Sequence, residues 1–507
     1  MIRVPPAIEM QGITKSFSGV IANDKLDFAV EKGEIHGLLG ENGAGKTVLM
    51  SILYGLYKLD EGKISVNGKY VEIDSPRTAM KLGIGMVHQH FMVVPSLTVT
   101  ENIILGREPT KNRILLDARK ALNDVKEFCD RYKLGVDLKA PIHALPVGMQ
   151  QRVEILKALY RGADILVLDE PTSVLTPQEA QELFKAIAAL KNQGKTVIFI
   201  SHKLREVLAI CDRVTVLRRG RVVGTVKTSA TSMGELARMM VGREVIFKFD
   251  KEEPQIRKAV LRVENLQADD DRGLPALKGI NFDVYASEIL GVAGVEGNGQ
   301  TELVETLAGI RKTTAGNILL DETDITEASP SKRIQMGTSI VPEDRQKRGL
   351  IMGFSVMENL MLGSHDRPPF AKSFLINVEE ASSYARRLID EFSIKAPDKD
   401  TLAQHLSGGT QQKVVLAREF SRSPKLIIAS QATRGLDIGA TEYVRSKLVE
   451  MRNKGCAVLL ISADLDEIWA LSDRIAVIYE GRIVAVKNPE KTNDTELGLL
   501  MAGGKSD

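Results

Sequence analysis

Short apolar runs alternate with helical segments along the whole chain. The runs "ILVLD" at 165–169 and "TVIFIS" at 196–201 are rich in Val, Ile and Leu, which is typical of strands buried on both faces. The run "EIHGLLG" at 34–40 predicts another strand, and a glycine-rich loop follows it before the next helical segment. This alternation predicts an α/β fold, with a mostly parallel sheet flanked by helices.

The same pattern occurs twice in the chain. The segment "EIHGLLGENGAGKT" at 34–47 matches "EILGVAGVEGNGQT" at 288–301, an offset of 254 positions. Further on, "LPVGMQQRVEILKAL" at 145–159 matches "LSGGTQQKVVLAREF" at 406–420, an offset of 261 positions. So many ordered matches indicate an internal repeat, whose second copy carries a net insertion of seven residues.

The repeat predicts two homologous domains, at 1–242 and 259–507, joined by a charged linker at 243–258. The 68 basic and 66 acidic residues give a formal charge of +2, so no global field favours nucleic acid as a partner. Three separated cysteines without a CxxC pair favour a reduced, intracellular protein, and we expect no signal peptide. No segment reaches the roughly 20 apolar residues of a membrane helix, so we expect any membrane role to require a partner.

The loop "GENGAGKT" fits the phosphate-loop pattern between a strand and a helix. Glycines let backbone N–H groups close around phosphate oxygens, and the helix N-terminus adds its positive dipole end. We expect the lysine to reach the β- and γ-phosphates and the threonine hydroxyl to bind Mg²⁺. The predicted nucleotide-binding residues of this loop are Gly40, Glu41, Asn42, Gly43, Ala44, Gly45, Lys46, Thr47 and Val48.

Polar residues at the ends of later strands supply candidate catalytic groups. Asp169 suits the Mg²⁺ shell, and Glu170 suits a base that orients the attacking water. An acidic pair that caps the following turn is the alternative. His202 ends the strand at 196–201 and is expected to contact the γ-phosphate, although a structural histidine is the alternative. The amide of Gln89 is expected to contact both Mg²⁺ and the water.

Other side chains near the loop have weaker assignments. Phe17, in "ITKSFSG", is expected to stack on the adenine ring, with an ordinary buried phenylalanine as the alternative. His88 and His90 flank Gln89 and suggest a metal pair, but two histidines alone are a weak signal for a metal site.

The segment "LSGGTQQK" at 406–413 resembles the signature motif of ABC ATPases, and the resemblance extends over nearly the whole chain. "PEDRQKRGL" at 342–350 and "RGLD" at 434–437 are similar to the twin-domain ATPase subunits of bacterial uptake systems for simple sugars and nucleosides. Within that group, "HQHFMVVPSLTVTENIILG" at 88–106 is most similar to nucleoside importers with lipoprotein receptors. The resemblance implies an antiparallel β part and a helical subdomain in each domain.

In that family, each ATP lies between the phosphate loop of one domain and the signature motif of the other. The resemblance therefore implies an active site that combines the first domain's groups with Ser407, Gly408 and Gly409. The other site has lost the matching groups, at Gln300, Glu343, Ser430, Gln431 and Ala463, and its facing motif has Pro146 and Val147. Asp270 falls near the position of Phe17, and Thr176 replaces an aspartate of the facing loop. One hydrolysing site and one degenerate site are expected, and weak nucleotide binding at the degenerate site stays open.

The resemblance implies an ATPase, with ATP and Mg²⁺, that energises a membrane importer for nucleosides or simple sugars. Its implied partners are integral membrane permease subunits, expected to be two, and an extracytoplasmic solute-binding protein or lipoprotein. It would lie at the cytoplasmic face of the membrane, attached through the permease. The alternative is a soluble twin ABC protein that acts on ribosomes. Such proteins have a long helical linker and two intact sites, which this sequence does not predict.

Overall fold

The computed structural model describes residues 5–17, 19–88, 92–111, 115–132, 134–172, 175, 177–244, 249, 251, 258–295, 297–372 and 375–504. The chain divides into two compact units, Met1–Val245 and Ile246–Asp507. Each unit contains its own sheets and its own apolar core.

Strands and helices alternate in the first unit as the hydrophobic pattern predicts. Its strands are β1 (Ile8–Phe17), β2 (Val20–Val30), β3 (Ile35–Gly40), β4 (Glu61–Val66), β5 (Lys69–Val71), β6 (Ile84–Val87), β7 (Thr110–Lys111), β8 (Leu115–Leu116), β9 (Ile165–Asp169), β10 (Thr196–Ser201), β11 (Arg213–Arg218) and β12 (Arg221–Lys227). Its helices are α1 (Lys46–Leu53), α2 (Pro76–Lys81), α3 (Val99–Ile104), α4 (Ala118–Tyr132), α5 (Val147–Tyr160), α6 (Pro177–Asn192), α7 (Leu204–Ile210) and α8 (Met233–Val241).

The second unit repeats this order of elements. Its strands are β13 (Ala259–Asp269), β14 (Pro275–Tyr285), β15 (Ile289–Ala293), β16 (Ala315–Leu320), β17 (Thr323–Asp324), β18 (Thr338–Val341), β19 (Ala371–Lys372), β20 (Leu375–Ile376), β21 (Leu426–Ser430), β22 (Ala457–Ser462), β23 (Arg474–Tyr479) and β24 (Arg482–Lys487). Its helices are α9 (Gln300–Ala308), α10 (Pro330–Gln335), α11 (Val356–Met361), α12 (Val378–Glu391), α13 (Gly408–Phe420), α14 (Ile438–Asn453), α15 (Leu465–Leu471) and α16 (Asp494–Met501).

The main sheet of the first unit has the order β12-β11-β3-β10-β9-β6. All its pairings are parallel except that of β11 with β12. Every residue of β3, β9 and β10 is buried, which explains why these strands are continuous apolar runs. The second unit repeats the arrangement as β18-β21-β22-β15-β23-β24. In both units the strand before the glycine-rich loop lies inside the sheet, so the loop leaves from its carboxyl edge.

Each unit also has an antiparallel sheet, with the order β2-β1-β4-β5 in the first and β14-β13-β16-β17 in the second. In the first unit, Ile8 and Met10 of β1 belong to the same apolar core as Leu49 and Leu53 of α1 and Ile198 of β10. This core fixes the hairpin of β1 and β2 beside the glycine-rich loop, which places the end of β1 near the site.

The helical part of each unit begins with a capped helix. Thr98 Oγ1 accepts a hydrogen bond from Glu101 N before α3, and Glu101 Oε2 accepts one from Thr98 N at 2.8 Å. Ser355 and Glu358 form the same capping box before α11. Ser355 and Thr98 are 257 positions apart, between the offsets of 254 and 261, so the insertion of the second copy is divided between both sides of α11. The predicted α/β class, with an antiparallel part and a helical part, is confirmed.

Among the residues that the structure describes, we find no helix with both the length and the apolar character needed to cross a membrane.

Candidate functional site

The glycine-rich loop of the first unit joins β3 to α1. Gly45 is the N-cap of α1 and has a φ of 98°, in the left-handed region that favours glycine. A Cβ at Gly45 would lie 2.4 Å from the carbonyl oxygen of Ala22, so a larger residue does not fit. Asn23 Nδ2 donates a hydrogen bond to Gly45 O at 3.2 Å and ties the loop to β2. The loop therefore opens α1 at a helix N-terminus, where a phosphate group is favoured.

Lys46 lies inside this loop and is only 6% exposed. Its Nζ donates hydrogen bonds to Gly40 O at 2.7 Å and to Glu41 O at 3.0 Å. Burial lowers the pKa of Lys46, while the negative charges of Glu170 and Asp169 oppose that change. The ammonium group is thus held by carbonyl oxygens at the position where the sequence predicts a phosphate clamp.

The other predicted residues of the loop differ in exposure. Asn42, Gly43 and Thr47 are exposed, Glu41 is half-buried, and Ala44 is buried. Val48 is partly buried against the apolar core of the first unit. Asn42 and Thr47 therefore face outward, whereas Ala44 and Val48 anchor the loop.

Asp169 and Glu170 stand at the carboxyl end of β9. Asp169 is 4% exposed, and burial together with the charge of Glu170 raises its pKa to about 6. The Lys46 ammonium and a hydrogen bond from Thr47 partly oppose this increase. Glu170 has a φ of 45°, which is uncommon for a residue with a side chain. The two carboxyl groups therefore occupy different environments, although they are adjacent in the chain.

His202 lies beside Glu170, with 2.9 Å between its Nδ1 and Glu170 Oε1. Burial by itself raises the pKa of Glu170. This effect is outweighed by the hydrogen bond and charge of His202 and by the charge of Lys46, so the pKa is lowered. Glu170 is thereby kept ionised, as a group that accepts a proton or orients water must be. The structure brings together Lys46, Asp169, Glu170 and His202, as the sequence predicts.

An aromatic pair lies at the end of the hairpin of β1 and β2. The rings of Phe17 and Tyr57 meet edge to face, with centroids 5.1 Å apart, and Phe17 is 39% exposed. The alternative of an ordinary buried Phe17 is therefore wrong. The sequence pattern alone does not single out Tyr57, although its place in "YGLYKLD", just after α1, is the available signal.

Gln89 and His90 lie outside the described residues, so their predicted contacts are left as predictions. His88 is described, and its ring meets the ring of Tyr54 edge to face at 5.9 Å between centroids. Burial lowers the pKa of His88.

In the second unit, Ser407 is the N-cap of α13. Its Oγ accepts a hydrogen bond from Thr410 N and lies 3.0 Å from Thr410 Oγ1. Gly408 and Gly409 form the first turn of the helix, and a Cβ at Gly408 would lie 2.7 Å from Arg345 Nη2. In the first unit the matching N-cap of α5 is Pro146, which has no hydroxyl group. The two units therefore present different helix N-termini at this position.

In the glycine-rich loop of the second unit, the Gln300 side chain forms hydrogen bonds with the loop backbone. Gln300 Nε2 donates a hydrogen bond to Val295 O at 2.9 Å, and Gln300 Oε1 accepts one from Asn298 N at 3.1 Å. Val295 matches Glu41 at the offset of 254, so Gln300 contacts the same carbonyl group as Lys46. Gln300 therefore bonds to both a carbonyl group and an N–H group of its own loop. The loop thus keeps its shape without the positive charge.

Gln431 and Glu343 are also paired within the second unit. Gln431 has a φ of 45°, the same as Glu170, and its Oε1 accepts a hydrogen bond from Ala463 N at 3.3 Å. Glu343 forms an ion pair with Arg434. The left-handed backbone is therefore retained, while glutamine and alanine stand where the first unit has Glu170 and His202.

A family model described as ABC transporter matches residues 23–173 and 277–434, one match in each unit. The chain belongs to the ABC transporter family. It is an ABC transporter ATP-binding protein with two ATPase domains, and its reaction is the hydrolysis of ATP.

Several curated relatives resemble the chain over its full length. The guanosine import ATP-binding protein NupO of Bacillus subtilis (strain 168) is 50% identical over 98% of this chain and 97% of its own length. The nucleoside import ATP-binding protein NupA of Lactococcus lactis subsp. cremoris (strain MG1363) is 49% identical over 98% of both chains. The glucose import ATP-binding protein TsgD13 of Haloferax volcanii is 48% identical over 98% of this chain and 96% of its own length.

Proposed function

We propose that the chain is the ATP-hydrolysing subunit of a membrane importer for nucleosides, and that the first unit supplies its one set of hydrolytic groups. The arrangement of Lys46, Asp169, Glu170 and His202 at the edge of one sheet supports this proposal. The corresponding positions of the second unit hold Gln300, Ser430, Gln431 and Ala463.

Each group of the first unit has a distinct role. Lys46 binds the β- and γ-phosphates, since its ammonium already lies among loop oxygens that a phosphate replaces. Glu170 orients the attacking water through its carboxylate. The contact between Glu170 and His202 uses Nδ1 of the imidazole ring, which leaves His202 Nε2 to contact the γ-phosphate. Catalysis of this kind consists of positioning and charge stabilisation, without a covalent intermediate.

The donor set fits a Mg²⁺ ion. Asp169 offers a carboxylate and Thr47 offers a hydroxyl, and hard oxygen ligands are what Mg²⁺ prefers. Bound Mg²⁺ would neutralise charge on the phosphates during transfer. We include Gln89 in this set on the resemblance alone.

The second unit contributes its signature motif in this proposal. Ser407, Gly408 and Gly409 would contact the γ-phosphate of the ATP that the first unit binds, as the family pattern implies. The damaged motif with Pro146 would face the loop of the second unit. One ATP would then be hydrolysed in each cycle of closure.

Nucleosides are the favoured solutes because the relatives named for guanosine and nucleoside import are 50% and 49% identical over nearly the full length. A simple sugar is the second candidate, because a relative named for glucose import is 48% identical. The solute contacts would lie in other chains. We propose two permease subunits in the membrane and an extracytoplasmic receptor as partners. The chain would then attach to the cytoplasmic face of the membrane through the permease.

The test is to purify the chain together with its permease and receptor and to titrate the receptor with nucleosides and with glucose and pentoses. We expect nucleosides to bind the receptor and to stimulate ATP hydrolysis by the reconstituted complex. Stimulation by a sugar alone would replace the nucleoside assignment with the second candidate. Purification with ribosomes rather than with membrane proteins would contradict the importer.

A further inference from the structure

Glu206, in the first turn of α7, accepts hydrogen bonds from two side-chain hydroxyl groups. Its Oε2 lies 2.6 Å from Thr172 Oγ1 and 3.2 Å from Ser201 Oγ. Its Oε1 lies 3.2 Å from the ammonium group of Lys203. We name the two hydroxyl contacts the Glu206 tie.

The Glu206 tie joins the two chain segments that carry the catalytic pair. Thr172 lies two residues after Glu170, and Ser201 lies immediately before His202. Thr172 and Ser201 are 3% and 2% exposed, so water cannot replace the carboxylate as their acceptor without rearrangement. The carboxylate of Glu206 therefore fixes the separation of the two segments next to the 2.9 Å contact between His202 and Glu170.

We propose that Glu206 is a positioning residue for ATP hydrolysis, which holds Glu170 and His202 in contact through Thr172 and Ser201. This inference rests on the proposed roles of that pair. The hydrogen bonds of the Glu206 tie reach neither Glu170 nor His202 directly. Glu206 therefore acts by determining where these two residues are placed. Displacement of a catalytic group by about 1 Å lowers turnover by about 10²-fold.

The second unit supplies a natural control, because it retains the same contacts without the catalytic pair. Glu467 accepts a hydrogen bond from Ser462 Oγ at 2.8 Å and another from Thr433. These three residues match Glu206, Ser201 and Thr172 at the offset of 261. Here the joined segments carry Gln431 and Ala463, which cannot serve as base and imidazole. Loss of the Glu467 hydrogen bonds should therefore affect folding but not the rate of ATP hydrolysis.

The experiment compares Glu206→Ala with Glu467→Ala in the full chain, with kcat and KM for ATP measured separately. We expect Glu206→Ala to lower kcat by about 10²-fold and to change KM by less than about three-fold, since Lys46 and its loop are intact. We expect Glu467→Ala to keep kcat within about two-fold of the wild type. Near wild-type kcat in Glu206→Ala, or an equal loss in both variants, would overturn the proposal.

Two further variants separate placement from folding. Glu206→Gln retains an oxygen acceptor for the hydroxyl groups, so it should recover most of the kcat that Glu206→Ala loses. If Glu206→Ala does not fold, Thr172→Val replaces it as the test, because it removes one hydrogen bond at nearly constant side-chain shape. We expect Thr172→Val to lower kcat by about ten-fold and the control Thr433→Val to leave kcat unchanged. Equal rates in Thr172→Val and Thr433→Val would also overturn the proposal.

Failure of this inference is distinct from failure of the proposed function. Continued turnover in Glu170→Gln would contradict the assignment of the base, whatever Glu206→Ala does. Full loss of turnover in Glu170→Gln, together with wild-type kcat in Glu206→Ala, would contradict the positioning role alone.

Discussion

His202 Nδ1 lies 2.9 Å from Glu170 Oε1, across the carboxyl ends of two parallel strands that are neighbours in the sheet. Each residue follows a fully buried strand, so the position of the pair is set by the packing of β9 and β10. The contact couples the ionisation of the carboxylate to the orientation of the imidazole.

Glu170→Gln should retain ATP binding and lose turnover by about 10²-fold or more, because an amide is a poor base for the attacking water. The measurements are steady-state ATPase and equilibrium binding of ATP. Gln431→Ala, at the equivalent position of the second unit, is the matched control and should keep the wild-type rate. Turnover near the wild type in Glu170→Gln would remove this residue from the role of base.

Lys46→Ala should weaken ATP binding and abolish turnover. The substitution removes the charge that meets the phosphates, and it removes one hydrogen-bond donor from Gly40 O and one from Glu41 O. Binding of a fluorescent ATP analogue and ATPase activity are the measurements. Gln300→Ala removes the matching side chain of the second unit and should leave both properties intact. Unchanged ATP affinity in Lys46→Ala would contradict the clamp.

Asp169→Asn should abolish turnover but stabilise the nucleotide-free protein near neutral pH. The pKa of Asp169 is raised from its ordinary value of 3.8 to about 6, so the folded state binds more protons than the unfolded state between those values. Stability from this group therefore falls as pH rises through that window, and the ionised carboxylate is destabilising above it. The asparagine should add roughly 1–3 kcal/mol at about pH 7.5 and almost nothing below about pH 4.

Thermal unfolding of both proteins without nucleotide, at the two pH values, measures this difference. The difference between variant and wild type cancels the titration of groups that do not interact with Asp169. A melting temperature lowered equally at both pH values would show that the carboxylate of Asp169 is not held in an unfavourable environment.

Gln300→Lys should not create a second hydrolytic site. The lysine would restore a positive charge to the loop, but Ser430 and Gln431 still offer no carboxylate for Mg²⁺ or for the water. Loss of a base or of a charge-stabilising donor typically costs about 10²-fold or more in rate, so one change cannot restore activity. Steady-state ATPase of the reconstituted transporter is the measurement, and a doubled turnover would contradict the assignment of a degenerate site.

Ser407→Arg should silence the site of the first unit, because a large side chain at the start of α13 would block the γ-phosphate in the proposed pairing. Pro146→Arg places the same side chain in the motif of the first unit and should leave turnover nearly unchanged. The two variants differ only in which motif is blocked. Equal ATPase rates in both would contradict the proposed pairing of the first loop with the second motif.

The sequence predicts the elements that depend on local pattern. The apolar runs indicate β9 and β10, the glycine spacing indicates the loop before Lys46, and the repeat predicts the same sheet order in both units. The sequence shows these features because each one strongly restricts residue type. A strand buried on both faces requires apolar residues, and a left-handed turn favours glycine.

Other features depend on contacts between distant segments, which no local pattern specifies. The pairing of Phe17 with Tyr57 joins a hairpin end to the end of α1, and the ion pair of Glu343 with Arg434 joins two loops. The Glu206 tie also joins distant segments. The sequence does not predict it, because a glutamate in a helix is ordinarily solvent-exposed. Such contacts are found only when the strands that carry them have been placed side by side.

The left-handed backbone at Gln431 bears on how a second hydrolytic site would be built, since Glu170 has the same φ of 45°. A non-glycine residue with a φ of 45° is strained by about 1–3 kcal/mol, yet the strain persists where no base is needed. The strain is therefore a property of the scaffold, and at this position the two units differ in the side chain and not in the backbone. At this position, a second hydrolytic half would therefore need a new side chain on a backbone that already has the required shape.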